Sequence, residues 1–228
     1  MPVHTPLTHL FPSSSHPAPT RGHTLAAPRF YETFANVFFV GRRRATFQAL
    51  IAAASVQPGQ RVLDVGCGTG YFARLLARAV GPEGLVVGVD ASPEMIGFAR
   101  RTAGRAANCQ FQVGTAEALS FPAEHFDVVV SSLFLHHLPA DLQVTALREM
   151  RRVLRPDGTL LVADAQIPRA GRWHLLAAIT GHLRMAEMVA PLEPLAAEAD
   201  FSEIQSGDQP PWLHYVRATK RVPVRPAS

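Results

Sequence analysis

The chain has 228 residues, 47% apolar and 18% charged, with a formal net charge of +4 when the histidines are neutral. These proportions allow one sizeable buried core and exclude a globally disordered polymer. They also exclude a helical membrane span, since no run of about 18 apolar residues occurs, and no charged start followed by an apolar stretch marks a secretory signal.

Residues 1–28 hold six prolines and little periodicity, and read as a disordered leader. Residues 30–55 read as helix, with Phe34, Val37, Phe38 and Ala45 near one face. From Gly59 the period changes. RVLDVG (61–66) reads as a buried strand, GYFARLLARAV (70–80) as a helix and GLVVGVD (84–90) as a second strand. SPEMIGFARRTA (92–103) follows as a helix, with Ser92 as N-cap and Pro93 in the first turn. CQFQVG (109–114) and FDVVVSSLFL (126–135) read as strands three and four, PADLQVTALREMRRVL (139–154) as a helix and GTLLVAD (158–164) as strand five. Residues 168–199 read as helix broken by Pro191 and Pro194. SEIQSG (202–207) and LHYVRATK (213–220) then form a near-hairpin around DQPPW, which makes the last strand antiparallel. Apolar strands alternating with helices predict an α/β fold, a parallel sheet covered on both faces. The expected organisation is one domain over 29–220 with a short flexible tail at 221–228.

Three glycines, Gly66, Gly68 and Gly70, sit between the first strand and its helix. A strand turning sharply into a helix leaves backbone N–H groups free, and glycine lets a ligand approach them closely. In an open α/β sheet that place lies at the carboxyl ends of the strands, where ligands bind. The spacing is G-x-G-x-G, whereas the dinucleotide fingerprint is G-x-G-x-x-G. Asp64, two residues before Gly66, would repel a pyrophosphate and attract an ammonium group. Asp90 ends the second strand, where an acid can accept hydrogen bonds from ribose hydroxyls. Together these point to a nucleoside cofactor with a cationic amino-acid tail.

The stretches VLDVGCGTG, GVDASPEMI, GTAEALSFPAEHFDVVVSSLFLHHL and REMRRVLRPDGTLLVAD, within residues 58–165, resemble class I S-adenosylmethionine-dependent methyltransferases, of the group with the ubiquinone and menaquinone biosynthesis enzymes. The resemblance implies a doubly wound, Rossmann-like, seven-stranded sheet with its last strand antiparallel, and S-adenosyl-L-methionine as cofactor. It implies that Asp64, Gly66 and Gly68 hold the methionine part, that Asp90 holds the ribose, and that Ala91 and Met95 pack near the adenine. Residues Thr115 and Ala116 fall on the family's Gly-Asp-Ala stretch at the adenine amine, with Thr115 where aspartate is usual. Ser131 or Ser132 would lie near the amino-acid end, and Tyr31 resembles an N-terminal tyrosine that closes over the cofactor.

Methyl transfer from a sulfonium is an in-line displacement that rests on alignment. A base is needed only where the nucleophile must lose a proton. His136 and His137, in LFLHHLP after strand four, are the candidates, against a structural role in holding that loop. No metal site is expected; Asp164 reads as a loop or cap acid. QPPW (209–212) lacks the acid or asparagine of base-methylating loops and reads as a turn, and the short arginine groups read as solvated surface, so no nucleic acid is expected. The acceptor is a small, apolar or aromatic molecule, its pocket built from Phe34, Phe38, Phe39, Phe134 and the segment bearing Trp173, Leu175, Leu176, Met185 and Met188. Arg42 and Arg43 could face an acidic group on it. Cys67 and Cys109 lack metal-ligand spacing and suit a reducing, cytoplasmic setting. Two other readings stay open: a nicotinamide-dependent oxidoreductase on a similar sheet, and a protein that binds S-adenosylmethionine without catalysis.

Overall fold

A computed structural model describes residue 22 and residues 27–104, 106–166 and 191–221. Its centre is a seven-stranded sheet in the order β3-β2-β1-β4-β5-β7-β6. The strands are β1 (Arg61–Val65), β2 (Leu85–Asp90), β3 (Cys109–Val113), β4 (Phe126–Ser132), β5 (Leu154–Ala165), β6 (Ser202–Gln209) and β7 (Leu213–Thr219). Neighbours from β3 to β5 pair in parallel, and β7 runs antiparallel to both β5 and β6. This is the sheet the resemblance implied.

Alternate residues of the central strands feed two cores. Leu63, Val65, Val87 and Val89 pack with α5 (Ala140–Val153) and α6 (Leu192–Glu198) on one face. Val62, Val86, Val128 and Val130 pack on the other with Phe47 and Leu50 of α2 (Arg43–Ala53), Phe72 and Leu76 of α3 (Tyr71–Val80) and Ile96 of α4 (Pro93–Ala103). A strand buried on both faces reads as a continuous apolar run, which is why RVLDV and LVVGVD were legible. Ser92 caps α4 as read: its Oγ accepts the Met95 N–H at 3.2 Å. Pro194 sits inside the first turn of α6, where its missing N–H has no intrahelical partner to lose, so it does not break the helix.

The single helix read over 30–55 is two. Helix α1 (Pro28–Phe38) and α2 are separated by a turn in which Val40 and Gly41 take φ +50° and +73°. The turn swings α2 onto the sheet and leaves Val37, assigned to the buried face, 70% exposed. Helix α1 starts at Pro28, the last residue assigned to the leader. The β6–β7 turn holds α1 and α2 in place. Trp212 Nε1 donates to Phe38 O at 2.6 Å, and Thr46 Oγ1 donates to Pro210 O at 2.8 Å. Strand β4 ends at Ser132, three residues early; Leu133 has φ +53°, and a 3₁₀ turn follows at Leu135–His137. Most of the leader, the tail from residue 222 and the segment with Trp173, Leu175, Leu176, Met185 and Met188 lie outside the described residues. Among the described residues, no helix is long and apolar enough to cross a membrane.

Candidate active site

A cleft opens at the carboxyl ends of β1, β2, β3 and β4. Val65, Gly66 and Gly68 form its floor, and Val89, Asp90, Ala91 and Met95 one wall. Gly114, Thr115, Ala116 and Glu117 form a second wall; Leu133, Phe134, His137 and Leu138 form a third. Tyr31 of α1 and Gly22 complete the lining. Its described lining holds two carboxylates and no lysine or arginine. Of the residues read from the sequence, Tyr31, Gly66, Gly68, Asp90, Ala91, Met95, Thr115, Ala116 and His137 line the cleft. Asp64, Gly70, Ser131 and His136 lie behind it.

The three glycines have different reasons to be glycine. A Cβ on Gly66 would stand 2.2 Å from Cγ of Phe134, and one on Gly70 would stand 2.5 Å from Cε1 of Phe111. Both positions are fixed by packing inside the protein. At Gly68, with φ +51°, the nearest atom to an added Cβ is Tyr31 Cε1 at 3.9 Å, so of the three this position alone has room for a side chain atom.

The loop's N–H groups are not the free floor that the sequence suggested. Gly66 and Cys67 donate to Val89 O at 2.8 and 3.0 Å, Gly68 to Asp90 Oδ2 at 2.9 Å, and Gly70 to Cys67 O at 2.9 Å. These four donors are occupied within the protein and leave little for a diphosphate, whose binding at such a loop depends on free N–H groups.

Two buried carboxyls, Asp64 and Asp90, lie at the loop. Burial pushes the Asp64 carboxyl up to about 8, against the Ala73 N–H that it accepts and with the charge of Asp90 adding to the rise. Its Oδ2 is buried and has no hydrogen-bond partner among the described residues. Burial also raises Asp90, although the Ser92 and Gly68 N–H groups, each 2.9 Å from one of its oxygens, hold it back. Each Asp90 oxygen keeps a second lone pair for a ribose hydroxyl. A ligand carrying an ammonium group and a vicinal diol therefore fits this loop: it supplies the charge that Asp64 lacks and the donors that Asp90 can still accept.

The remaining candidates divide between holding and facing. Ser131 is fully buried, and its hydroxyl donates to Val65 O at 2.9 Å, tying β4 to β1 below the cleft. His136 is buried, with Nδ1 2.7 Å from Asp164 Oδ1, and its own N–H donates to Asp164 Oδ2 at 3.3 Å. The His137 ring lies beside it, tilted by 43° with ring centroids 4.0 Å apart, and is the histidine on the cleft wall. Phe38 and Phe39 are core residues rather than pocket residues, because the turn after α1 folds them inward. Arg43 is not available to an acceptor. It forms a bidentate pair with Glu32 at 2.8 and 3.1 Å and lies 3.8 Å over the Tyr71 ring.

Glu32, which the sequence reading passed over, joins α1 to the glycine loop. Besides Arg43 it accepts the Thr69 hydroxyl. Burial alone would raise its carboxyl, but the hydrogen bonds from Arg43 and Thr69 hold it below the usual range. Tyr31, next along α1, is pushed up to about 12, chiefly by burial, so its phenol stays protonated over Gly68. Glu32→Ala is expected to free α1 while the sheet stays folded. The loss of a part-buried charged pair of about 1–3 kcal/mol should appear as faster proteolysis within α1 and weaker ligand binding. Unchanged cleavage would show that α1 is held by its apolar contacts alone.

Residues 62–158 match a family model described as a methyltransferase domain. The chain is similar to the ubiquinone/menaquinone biosynthesis C-methyltransferase UbiE of Ectopseudomonas mendocina, 39% identical over 149 residues, covering 64% of this chain and 57% of that protein. It is similar to the demethylmenaquinone methyltransferase of Listeria welshimeri, 40% identical over 120 residues, 52% of this chain and 50% of that one. The chain thus spans only about half the length of the curated relatives it matches. Among solved structures it shares the fold of a SAM-dependent methyltransferase from Aquifex aeolicus, with a TM-score of 0.63 at 19% identity over 84% of this chain and 97% of that one.

Proposed function

We propose that the chain, whose residues 62–158 match a methyltransferase domain, is a class I S-adenosylmethionine-dependent methyltransferase that transfers the cofactor's methyl group to a small, apolar or aromatic acceptor. The carrying observation is the orphaned Oδ2 of buried Asp64 beneath a loop in which the N–H groups of Gly66, Cys67, Gly68 and Gly70 are already engaged. That combination suits a cationic amino-acid tail and suits a diphosphate poorly, which supports this reading over the nicotinamide-dependent one.

When bound, S-adenosylmethionine supplies an activated methyl group on a sulfonium. The chain's own part is to bind, align and dry the site. Asp64 would take the ammonium end and Asp90 the ribose hydroxyls. Ala91, Met95 and Ala116 would pack the base, and Gly68 would give close approach. Tyr31 covers the loop and, with Phe134 and Leu138, excludes water. Holding the reactants aligned supplies about 7–11 kcal/mol of the barrier in favourable cases. His137, on the cleft wall, would accept a proton from a hydroxyl or carbon acid, while His136, held by Asp164, positions the turn that carries it.

The relatives named for quinone biosynthesis support an acceptor with an aromatic ring and an apolar tail. Phe134, Leu133 and Leu138 give it an apolar wall. We place the reaction in a cytoplasm-like compartment, where the buried thiols Cys67 and Cys109 stay unpaired.

The test is transfer of a labelled methyl group to a panel of hydroquinones and phenols. Turnover on any member supports the reading. Cofactor binding with no turnover across the panel would favour a non-catalytic binding protein. His137→Ala is expected to lower kcat by about 10²–10⁴-fold on an acceptor that loses a proton, with cofactor affinity little changed. His136→Ala and Asp164→Asn should instead lower the melting temperature, since each leaves a buried polar partner unmatched. Unchanged turnover in the His137 variant would remove that residue from proton transfer.

A further inference from the structure

Among the described residues, the exposed large apolar side chains are Phe30, Val37 and Val40, at 74%, 70% and 50% exposure, and all belong to α1 and the turn that ends it. Phe30 and Val37 are seven residues apart, so they stand within about 20° of each other around the helix. Val40 follows in the turn, its N–H donating to Val37 O at 2.9 Å. Helix α1 thus carries two apolar faces. Ala35 and Phe38 bury one of them, and the other stands open to solvent. An exposed apolar patch of this kind marks a surface that meets something.

The charge around the patch has one sign. Arg29, Arg42 and Arg44 are exposed. The one acid in residues 27–60 is Glu32, which Arg43 and Thr69 engage. Of the elements that α1 and α2 chiefly pack against, α3 has no acid and α4 carries Glu94, bonded to Ser92. Strand β6 carries Glu203 and Asp208, bonded to Arg221 and His214. In the segments outside the described residues, Glu187 is the one acid, so the chain itself holds little that would neutralise these arginines. A second copy docked by the same face would set arginine against arginine. A nucleic acid would meet the arginines but give the valines no apolar medium to enter. A lipid surface offers both partners, hydrocarbon for the apolar side chains and anionic headgroups for the arginines around them.

We propose that this surface docks the chain onto an anionic lipid bilayer. Tyr31, on another face of α1, lines the cleft. Docking therefore sets the bilayer against the helix that borders the cleft, where an apolar acceptor is drawn from the lipid. The docking surface stands on its own observations; its use in delivering an acceptor rests on the acceptor reading above.

The test is co-sedimentation of the full chain with vesicles of phosphatidylcholine alone and of phosphatidylcholine mixed with phosphatidylglycerol. At low salt the chain is expected to bind the anionic vesicles at least about tenfold more tightly than the neutral ones, and the difference should shrink as salt rises. Each basic residue at such a surface contributes about fivefold, so Arg29→Gln with Arg44→Gln should weaken binding about 25-fold. Phe30→Ser with Val37→Ser should weaken it at least about tenfold. Both double variants change exposed positions and should keep the wild-type melting temperature and affinity for S-adenosylhomocysteine. No binding to anionic vesicles by the folded chain would overturn the proposal, as would equal binding to both vesicle types or wild-type binding by either variant. A lipid-free dimer that the variants split, or RNA binding without vesicle binding, would assign the face to another partner and overturn it as well. A long-chain alkyl hydroquinone held in the anionic vesicles should be methylated at least about tenfold more slowly by the Phe30→Ser, Val37→Ser variant, with a short-chain one in solution unaffected. Equal loss on both would overturn the delivery role. Vesicle binding without methylation of either compound by the wild type would count against the acceptor reading and leave the docking surface standing.

Discussion

Binding of S-adenosylhomocysteine is expected to tighten roughly fiftyfold between about pH 6 and pH 8, because Asp64 must release a proton before it can meet the ligand's ammonium group. The free protein holds that carboxyl protonated up to about pH 8, mainly through burial. A cation beside the orphaned Oδ2 removes that penalty, so binding expels a proton and affinity climbs with pH until Asp64 is ionised in the free protein as well. Asp64→Asn should bind weakly and show no such slope. The same group acts on the ligand-free fold with a definite sign. Its ordinary value is 3.8, so between about pH 4 and pH 8 the folded chain holds a proton that the unfolded chain has released. Asp64 therefore costs stability progressively as pH rises through that window, and no further above it. Urea midpoints across this range, with and without ligand, would show the two effects in opposite directions. A flat affinity profile would place the ammonium away from Asp64.

Gly70→Ala is expected to destabilise the fold by about 2–4 kcal/mol, and Gly68→Ala by about 1 kcal/mol. At Gly70 a methyl group would meet the Phe111 ring at 2.5 and 2.6 Å and the Ala99 Cβ at 3.0 Å, with φ +72° adding backbone strain. The ring cannot withdraw, because Phe111 lies in the packed layer between β3 and α3 and α4. At Gly68 the methyl group meets only Tyr31 Cε1 at 3.9 Å, so the fold survives and the floor of the cleft is filled. Ligand affinity should fall at least tenfold there, through lost close approach to the main chain. Thermal melts and calorimetry on the two variants separate the roles. Equal destabilisation would mean that Gly68 is also a packing glycine.

The order of elements was legible from Arg61 onward because buried parallel strands read as short apolar runs between capped helices. Ser92 with Pro93 marked a helix start that the structure keeps. The N-terminal helix was misread because a 3.6-residue period continues across Val40 and Gly41, and only their positive φ values end it. At the loop, spacing located the cleft but could not show which backbone N–H groups the protein itself engages. Those partners, Val89 O and the Asp90 carboxylate, come from the next strand, 22 or more residues away in sequence. The packing demands on Gly66 and Gly70 were not legible, because the neighbours that exclude a side chain there, Phe134 and Phe111, are distant in sequence. Likewise, nothing local shows that Ser131 turns its hydroxyl to Val65. Glu32 carried no motif at all; its role comes from Arg43, eleven residues on, and Thr69, beyond α2.

The account's central claim is that a glycine loop with its N–H groups engaged and the Asp64 and Asp90 carboxyls beside it takes a cationic amino-acid nucleoside and rejects a dinucleotide. Isothermal titration of the folded full chain with S-adenosylmethionine, S-adenosylhomocysteine and NAD tests it most directly. The account predicts saturable heat with the first two, stronger at pH 8 than at pH 6, and none with NAD. Tight binding of NAD with no heat from either sulfur nucleoside would contradict it.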